Sequence, residues 1–511
     1  MSQQIVDKAI ECDNKKPSTD TKVYIHSAIG IGIMLVFYLV ALFAPETAYA
    51  PITPVGMKCV GAFLGMVYLW STVSSLWPSL LGLIFIALSG YGGPGFAGFK
   101  GVFLNAFGAD TVLLTLFAMV LFGAMDEAGC TKYIARWLLT RKMINGRPYI
   151  FFGVVLFTSY VLSTLVSPIT GLILMWPITL RIMEAVGIER CDKIWPYFFV
   201  GMFAVMTLGQ PFFPFMGAQL VVLSAFDKMT AGAMPVPFFQ YMVLNFVMTM
   251  LLMVVYLLVL KFIIRPDVSK LKNVTAEQMA ATQQLPAMVW PQKELMIMLP
   301  LYIIMLLVPN FMKESTNPII TFLATLGPLG VTILWCVIFC VIRYKGHEVL
   351  DFKEVAYKQF NWGIFFMIAA AVYGANSLSD DATGVKAFLL QALQPILGGR
   401  SEMVFVAIMF TVALIITNFA NNAAMAVVLM PVILAFCEQM GIHPMPVAMG
   451  VTMMVFVAML TPAASPHAGL MHGRKDIYTT GDIMRIGFPI CLFTLVFYIF
   501  VGYPLAKMLF I

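Results

Sequence analysis

Two long apolar stretches of the sequence are each interrupted near their middle by residues that can begin a helix. The first interruption is Ser167-Pro168 and the second is Asn421-Asn422. Serine or asparagine at such a position accepts hydrogen bonds from the free N–H groups of the first helical turn. Proline fits the first helical position, because its missing donor would have no partner there. We therefore predict that a half-helix follows each interruption.

These half-helices, predicted over 169–180 and 422–434, point to anion chemistry. The N-terminal end of a helix carries unpaired N–H groups and a partial positive charge, both of which attract an anion. No Lys or Arg occurs within 150–180 or 403–473. An anion bound between the two interruptions must therefore be held by helix ends and backbone rather than by basic side chains.

Two further apolar segments are interrupted at 209–214 (Gly-Gln-Pro-Phe-Phe-Pro) and at 461–466 (Thr-Pro-Ala-Ala-Ser-Pro). Irregular backbone at membrane depth is tolerated only where it lines a cavity or is buried in protein. Its exposed carbonyl oxygens can coordinate a cation. His467 follows the second interruption and is a candidate proton relay; a structural histidine is the equally open interpretation. For His472, beside Arg474, we favour a hydrogen-bonded structural role.

The elements that must position these residues lie in a membrane. Of 511 residues, 61% are hydrophobic and 11% are charged, whereas soluble proteins carry about 25% charged residues. This composition excludes a cytosolic enzyme, a nucleic-acid-binding protein and a disordered scaffold. At about 20 residues per crossing, it predicts on the order of a dozen apolar segments. The continuous apolar run over 240–260 favours helices over a barrel, whose strands alternate.

The interruptions recur in the two halves of the chain at nearly constant spacing. Five residues of the first half match five of the second at offsets of 252 to 254 residues: Ser163, Ser167, Pro177, Pro214 and Gly217 match Thr417, Asn421, Pro431, Pro466 and Gly469. Two halves with matching broken helices are typical of secondary transporters built from repeats. A chance match between two Pro- and Gly-containing apolar sequences is the alternative.

Basic residues predict the orientation. If the N-terminus is cytoplasmic and each long interrupted segment is a re-entrant hairpin, 24 of the 31 Lys and Arg residues fall on the cytoplasmic side. The positive-inside rule supports this arrangement. Eleven full crossings then place the C-terminus outside and give the halves opposite orientation. We expect a multi-pass protein of the plasma (cytoplasmic or inner) membrane.

The predicted fold is all-α, with about 11 transmembrane helices and two re-entrant hairpins in two inverted repeats. Its segments are a cytoplasmic tail (1–22), a first transmembrane helix (23–54), repeat 1 (55–264, with hairpin 149–186 and broken helix 195–226), a cytoplasmic linker (265–294) and repeat 2 (295–511, with hairpin 402–437 and broken helix 446–472).

The interrupted segments resemble the divalent anion–sodium symporter family of the ion-transporter superfamily, as a divergent member. That family carries Ser-Asn-Thr at each hairpin tip, ten residues before a proline. The matching triplets here are Ser167-Pro168-Ile169, before Pro177, and Asn421-Asn422-Ala423, before Pro431. The hydroxyl residue four positions earlier is matched by Ser163 and Thr417. Two further motifs of the family have similar counterparts here. Its Thr-Pro-Pro-Asn stretch is similar to Ser465-Pro466-His467-Ala468, and the Trp-Gly pair that opens one of its spans is similar to Trp362-Gly363.

The resemblance implies a homodimer whose transport domain moves past a scaffold, elevator fashion, carrying a small di- or tricarboxylate anion with sodium. It implies one sodium site at Ser163, Ser167 and backbone near Gly209. The second site would use Thr417, Asn421, Asn422 and backbone near Thr461. The implied substrate contacts are Ser167, Pro168, Ile169, Asn421, Asn422, Ala423, Ser465 and Pro466.

Other functions remain open at this point. Among the tip residues that contact substrate in the family, only Asn422 keeps a polar side chain here, which leaves proton coupling, exchange or a less charged solute as alternatives. An anion channel is a further alternative. No Gly-x-Ser-x-Gly, HExxH or Walker motif occurs, so we expect neither an enzyme nor an ATP-driven pump. We expect no cofactor, with sodium as the candidate coupling ion, and a lipid bilayer as the surroundings.

Overall fold

The computed structural model describes residues 19–190, 192–282, 285–312, 315–462 and 464–511. The tail predicted over 1–22 therefore lies almost entirely outside the described residues. Within them, nine helices are long and apolar enough to cross a membrane, or up to eleven if two pairs of bent helices each count as one span. The chain is an all-α polytopic membrane protein, and the predicted fold class is confirmed.

Helices account for nearly all of the regular structure, with one two-stranded antiparallel hairpin. In chain order the elements are α1 Thr19–Phe43, α2 Pro54–Thr72, α3 Trp77–Leu88, α4 Gly95–Phe107, α5 Asp110–Glu127, α6 Cys130–Leu139, α7 Pro148–Leu165, α8 Pro168–Ala185, α9 Ile194–Gly209, α10 Gln219–Met229, α11 Phe238–Ile264, α12 Ala276–Thr282, α13 Trp290–Phe311, α14 Pro318–Val341, β1 Arg343–Tyr344, β2 His347–Glu348, α15 Phe352–Gln359, α16 Trp362–Ser379, α17 Val385–Leu397, α18 Glu402–Thr417, α19 Asn422–Met440, α20 Pro444–Val455, α21 Pro466–Gly473 and α22 Thr480–Phe510.

The chain divides into two compact units. Among the described residues, the first comprises those from 19 to 108 and from 362 to 395, and the second comprises those from 109 to 361 and from 396 to 511. This division differs from the two consecutive repeats predicted from the sequence, because α16 and most of α17 join the N-terminal helices. Contacts in space, rather than order along the chain, define the units.

In the first unit, α2 packs against α1, α3 and α16. The Thr53 side chain accepts a hydrogen bond from the Gly56 amide at 3.1 Å and so caps α2. The same hydroxyl lies within hydrogen-bond distance of the Thr383 carbonyl at 3.2 Å, which ties α2 to the segment that follows α16. The unit also contains α4 and most of α17.

The sequence of α4 contains a short pattern of phenylalanines that indicates a helix. Four phenylalanines at spacings of three and four residues form one stacked row, with ring centroids 5.2 to 6.4 Å apart: Phe96, Phe99, Phe103 and Phe107. That spacing places side chains on one helix face. The helix has only 13 residues, which is too few for the 20-residue criterion of a full crossing.

The second unit holds the two hairpins and both broken helices. Every residue of α20 is buried, as are 14 of the 16 residues of α9. Helices α9 and α20 are therefore central elements of this unit. Trp137 of α6 is 61% exposed, and the Arg141 guanidinium lies 3.6 Å from the centroid of its ring.

The segment predicted as a linker, 265–294, is bound to the rest of this unit. The Lys270 ammonium lies 2.8 Å from the Asp192 carboxylate, and the Asn145 side chain accepts a hydrogen bond from the Ala276 amide at 2.7 Å. The linker contains the short helix α12, and α13 begins at Trp290, five residues before the span expected from 295.

Candidate functional site

The first hairpin is built from α7 and α8, which pack against each other. The Ser167 hydroxyl accepts a hydrogen bond from the Thr170 amide at 3.1 Å, and Pro168 is the first residue of α8. The capping predicted from the sequence is thus confirmed. The helix continues to Ala185, past the predicted half-helix end at residue 180, and Pro177 lies within it.

The second hairpin repeats this geometry with α18 and α19, which also pack together. The Asn421 side-chain oxygen accepts a hydrogen bond from the Ala424 amide at 3.1 Å. Helix α19 includes Pro431 and continues to Met440, beyond the predicted end at residue 434. Each tip therefore presents the N-terminal end of a capped helix, as the sequence predicted.

Both broken helices are interrupted where the sequence indicates, but over longer stretches. Helix α9 ends at Gly209 and α10 begins at Gln219, while α20 ends at Val455 and α21 begins at Pro466. The second break therefore starts five residues before the predicted 461–466 interruption. Pro214 lies inside the first break, whereas its predicted counterpart Pro466 is the first residue of a helix.

Gly209 allows a close approach at the first break. A Cβ atom at this position would lie 2.7 Å from the Cδ2 atom of Tyr160 and 3.3 Å from the Tyr160 carbonyl oxygen. Any side chain would displace the first hairpin from the end of α9. Glycine at this position therefore fixes the distance between hairpin and break.

The two halves pack on each other reciprocally within this unit. The second arm of the first hairpin, α8, contacts α21, which follows the second break. The second arm of the second hairpin, α19, contacts α10, which follows the first break. Each hairpin is therefore placed beside the broken helix of the other half, as a pseudo-symmetric site requires.

A buried hydroxyl joins each hairpin to its own broken helix. The Ser163 hydroxyl donates to the Met206 carbonyl at 2.6 Å, and the Thr417 hydroxyl donates to the Val455 carbonyl. Both side chains are at most 2% exposed. The Thr417 hydroxyl also lies 3.0 Å from the Asn422 side-chain oxygen. Hydroxyl and carbonyl oxygens of this kind are the ligands expected for an alkali cation.

The second break is held by a residue that the sequence analysis did not single out. The Asn418 side-chain oxygen accepts hydrogen bonds from the Met459 amide at 3.2 Å and from the Leu460 amide at 2.9 Å. Its amide nitrogen donates to the Leu414 carbonyl at 2.8 Å, and the Thr461 hydroxyl donates to the Asn418 carbonyl. Asn418 thus accepts hydrogen bonds from two backbone donors of the irregular stretch that follows α20.

The first break is held from a different helix. Asn245 of α11 donates to the Leu208 carbonyl at 2.9 Å and accepts from the Tyr160 hydroxyl at 3.2 Å. Its amide nitrogen also lies 3.4 Å from the Met453 sulfur on α20. Sequence reasoning missed Asn245 too. The sequence did offer an indication: Asn245 is an amide in the middle of an apolar span, and a fully buried amide needs hydrogen-bond partners.

His467 and Ser465 lie at the start of α21. The Ser465 hydroxyl accepts from the Ala468 amide at 3.1 Å and so caps this helix. His467 is 3% exposed, its ring centroid lies 5.7 Å from that of Phe203, and its Nε2 atom has no hydrogen-bond partner among the described residues. His472 Nε2 lies 3.2 Å from the Met459 carbonyl oxygen, in agreement with the structural role predicted for it.

The other residues of the tip triplets offer backbone rather than polar side chains. Pro168 and Ala423 are buried, Ile169 is half-buried, and Pro466 is exposed. Within the described parts of the chain, no group of three or more His, Cys, Asp or Glu residues could hold a metal ion. A cation at this site would therefore be bound by carbonyl, hydroxyl and amide oxygens.

Known proteins with similar sequences are transporters. A sequence model described as citrate transporter matches residues 65–452. An uncharacterized transporter of Escherichia coli is 31% identical over 153 residues, which make up 30% of this chain and 24% of that protein. A sodium-dependent dicarboxylate transporter of Staphylococcus saprophyticus is 23% identical over 164 residues, 32% of this chain and 30% of that protein. The matched segments thus span less than a third of either relative.

The crystal structure of the YdaH transporter of Alcanivorax borkumensis has a similar fold. It aligns with a TM-score of 0.55 and 16% sequence identity, and the alignment covers 81% of this chain and 88% of that chain. At this identity the likeness establishes the arrangement of helices, not the substrate.

Proposed function

The chain belongs to the citrate transporter family, and from this premise we propose that it is a secondary active carrier of a small di- or tricarboxylate anion. The family match and the sodium-dependent dicarboxylate relative confirm the resemblance to divalent anion–sodium symporters. As such a carrier the protein performs no enzymatic step.

The observation that carries this proposal is the pair of capped hairpin tips. Ser167 and Asn421 each begin a helix within an apolar hairpin, and no Lys or Arg lies nearby in either hairpin arm over 150–180 or 403–440. In a low-dielectric site, two helix N-termini attract carboxylates without the desolvation cost of a buried basic side chain. The substrate contacts proposed from the sequence would be made largely through the backbone of these tips, with Asn422 as the polar side chain.

Sodium is the coupling ion that we propose. The oxygens at Ser163 and Met206 form one candidate site, and those at Thr417, Asn422 and Val455 form the other. A bound cation beside each helix N-terminus would offset the charge of the dicarboxylate. Coupling then follows, because the anion binds best when the cations are present.

The wider organisation remains part of the proposal. We place the N-terminus in the cytoplasm and the C-terminus outside, in the plasma or inner membrane, because 24 of the 31 basic residues then lie on the cytoplasmic side. The family resemblance supports a homodimer and elevator-type movement. Neither depends on the chemistry of the two tips, so each can be tested separately.

Counterflow in proteoliposomes tests the function directly. Purified protein is reconstituted with an unlabelled internal anion, and uptake of labelled dicarboxylates, citrate, sulfate and neutral analogues is measured with and without sodium. We expect saturable uptake of a di- or tricarboxylate that depends on sodium. Uptake indifferent to every anion would refute the anion site, and single-channel current without counterflow would identify a channel instead. Sodium-independent counterflow of the same anion would retain the carrier and refute the coupling.

A further inference from the structure

A cavity of about 350 Å³ lies in the second unit, and none of its lining residues belongs to either hairpin. Its walls are formed by α9, α11 and the first half of α22. The lining residues are almost all apolar, and Arg485 is the one charged residue among them. The volume falls at the lower end of the range for ligand pockets, about 300 to 1,000 Å³.

The cavity has the length of one bilayer leaflet. Along α22 its lining runs from Arg485 to Thr494, nine residues or about 13 Å at the helical rise. Along α11 it runs from Leu252 to Ile264, about 18 Å by the same measure. One leaflet of the hydrocarbon core is about 15 Å thick, half of the roughly 30 Å total. An acyl chain parallel to these helices would therefore fit the apolar walls.

The surface around this cavity is apolar enough to face lipid. Exposed side chains on α11 include Leu251, Val254 and Leu258, which are 40 to 48% exposed, and Phe493 on α22 is 42% exposed. In a bilayer, acyl chains would therefore contact this face from the outside.

Positive charge gathers at one end of the cavity. Arg485 is exposed and lines the opening, while Lys261 and Arg265 adjoin the lining residues Leu260 and Ile264 on α11. Among the described residues, none of the three cations forms an ion pair with a carboxylate. Asp482, three residues before Arg485, instead accepts hydrogen bonds from the Thr479 amide and hydroxyl.

We propose that this cavity binds one anionic diacyl phospholipid, with an acyl chain between α9, α11 and α22 and the phosphate at Arg485. Charge selects the occupant: a bare apolar cavity would accept any lipid tail, whereas unpaired cations at its rim favour a headgroup with net negative charge. The site is distinct from the hairpin tips, and its test does not depend on what the protein transports.

Native mass spectrometry of the full chain in mild detergent measures the binding. Phosphatidylglycerol and phosphatidylcholine with identical acyl chains serve as probes, and thermal unfolding is followed with each. We expect one phosphatidylglycerol to remain bound preferentially and to raise the unfolding temperature more than phosphatidylcholine does. In Arg485→Gln the occupancy by phosphatidylglycerol should fall at least fivefold, and Arg485→Lys should restore it.

Two further variants test separately how the cavity and its charged rim contribute to lipid binding. Val259→Trp fills the cavity from a half-buried position and should reduce occupancy by both lipids. Arg181→Gln is the matched control, because Arg181 is exposed but does not line the cavity; it should behave as the unmodified chain does. Equal binding of the two lipids, equal loss in both glutamine variants, or a change of oligomeric state without loss of lipid would overturn the proposal.

Discussion

Replacing Asn418 with alanine removes the main side-chain support of the second break. Asn418 is 4% exposed and accepts two backbone hydrogen bonds, from the amides of Met459 and Leu460. Alanine leaves both amides without this acceptor. Met459 is fully buried, whereas Leu460 is half-buried and can regain a bond to water.

The magnitude follows from the buried amide. Leaving one buried donor unsatisfied costs roughly 1–3 kcal/mol, and each 1.4 kcal/mol corresponds to about a tenfold change in an equilibrium constant. If substrate binds only when the break is ordered, the affinity falls by the fraction of molecules that remain ordered. We therefore expect Asn418→Ala to raise the KM for counterflow, by up to about 150-fold where the ordered break is only marginally stable in the unmodified chain.

The chain offers a matched control in the other half. Thr164 lies 254 residues before Asn418, at the corresponding position of the first hairpin. Its hydroxyl donates to the Val161 carbonyl at 2.8 Å, within its own helix, so Thr164→Ala should change KM less than about twofold. Asn418→Asp keeps the accepting oxygens and should recover part of the loss. A normal KM in Asn418→Ala, or an equal loss in Thr164→Ala, would refute the reasoning.

Three other substitutions test separate parts of the structure. Asn422→Ala removes the oxygen 3.0 Å from the Thr417 hydroxyl and, at about 0.5–1.5 kcal/mol, should raise the KM two- to tenfold; a changed elution volume on size exclusion would instead indicate an assembly defect. If His467 relays protons, the alternative to sodium coupling, His467→Gln should abolish the pH dependence of uptake and leave exchange intact; an unchanged pH profile contradicts the proton-relay hypothesis. The hydrogen bond from Lys270 lowers the pKa of Asp192, so this pair contributes stability above the unfolded carboxyl pKa and loses it as the pH falls through the lower folded pKa. Because both side chains are substantially exposed, Asp192→Asn should cost no more than about 1 kcal/mol at pH 7, and this cost should shrink as the pH falls through the lowered pKa of Asp192, as measured by thermal unfolding; a cost that does not change with pH would contradict the assignment.

Local interactions explain what the sequence could predict. Ser167, Asn421 and Ser465 cap helices that begin one residue later, and capping depends only on the next three residues. The membrane-spanning segments can be predicted from the sequence as well, because a crossing requires about 20 apolar residues in a row. Both features can be recognised without knowing which helices are neighbours.

Contacts between distant segments explain which features could not be predicted from the sequence. The second break begins at residue 456 rather than 461 because Asn418, about 40 residues away, takes over the amides of Met459 and Leu460. Likewise, Asn245 of α11 bonds to the carbonyl of Leu208, one residue before the end of α9. No spacing rule connects residues of different helices, so these two amides looked like isolated polar residues in apolar spans.

The two halves share a sequence pattern, but they are not held together equally. In the first half, the Ser163 hydroxyl makes one short bond from the hairpin to its broken helix, while the break itself is tied to α11 through Asn245. In the second half, Thr417, Asn418 and Thr461 form four hydrogen bonds between hairpin tip and broken helix. At about 0.5–1.5 kcal/mol for each bond, the three additional direct hydrogen bonds of the second half contribute roughly 1.5–4.5 kcal/mol. The first hairpin has one indirect link to its broken helix, through the Tyr160 hydroxyl and Asn245. The two halves therefore match in sequence pattern but not in these hydrogen bonds, and we expect the hairpin that carries Ser163 to separate from its break first.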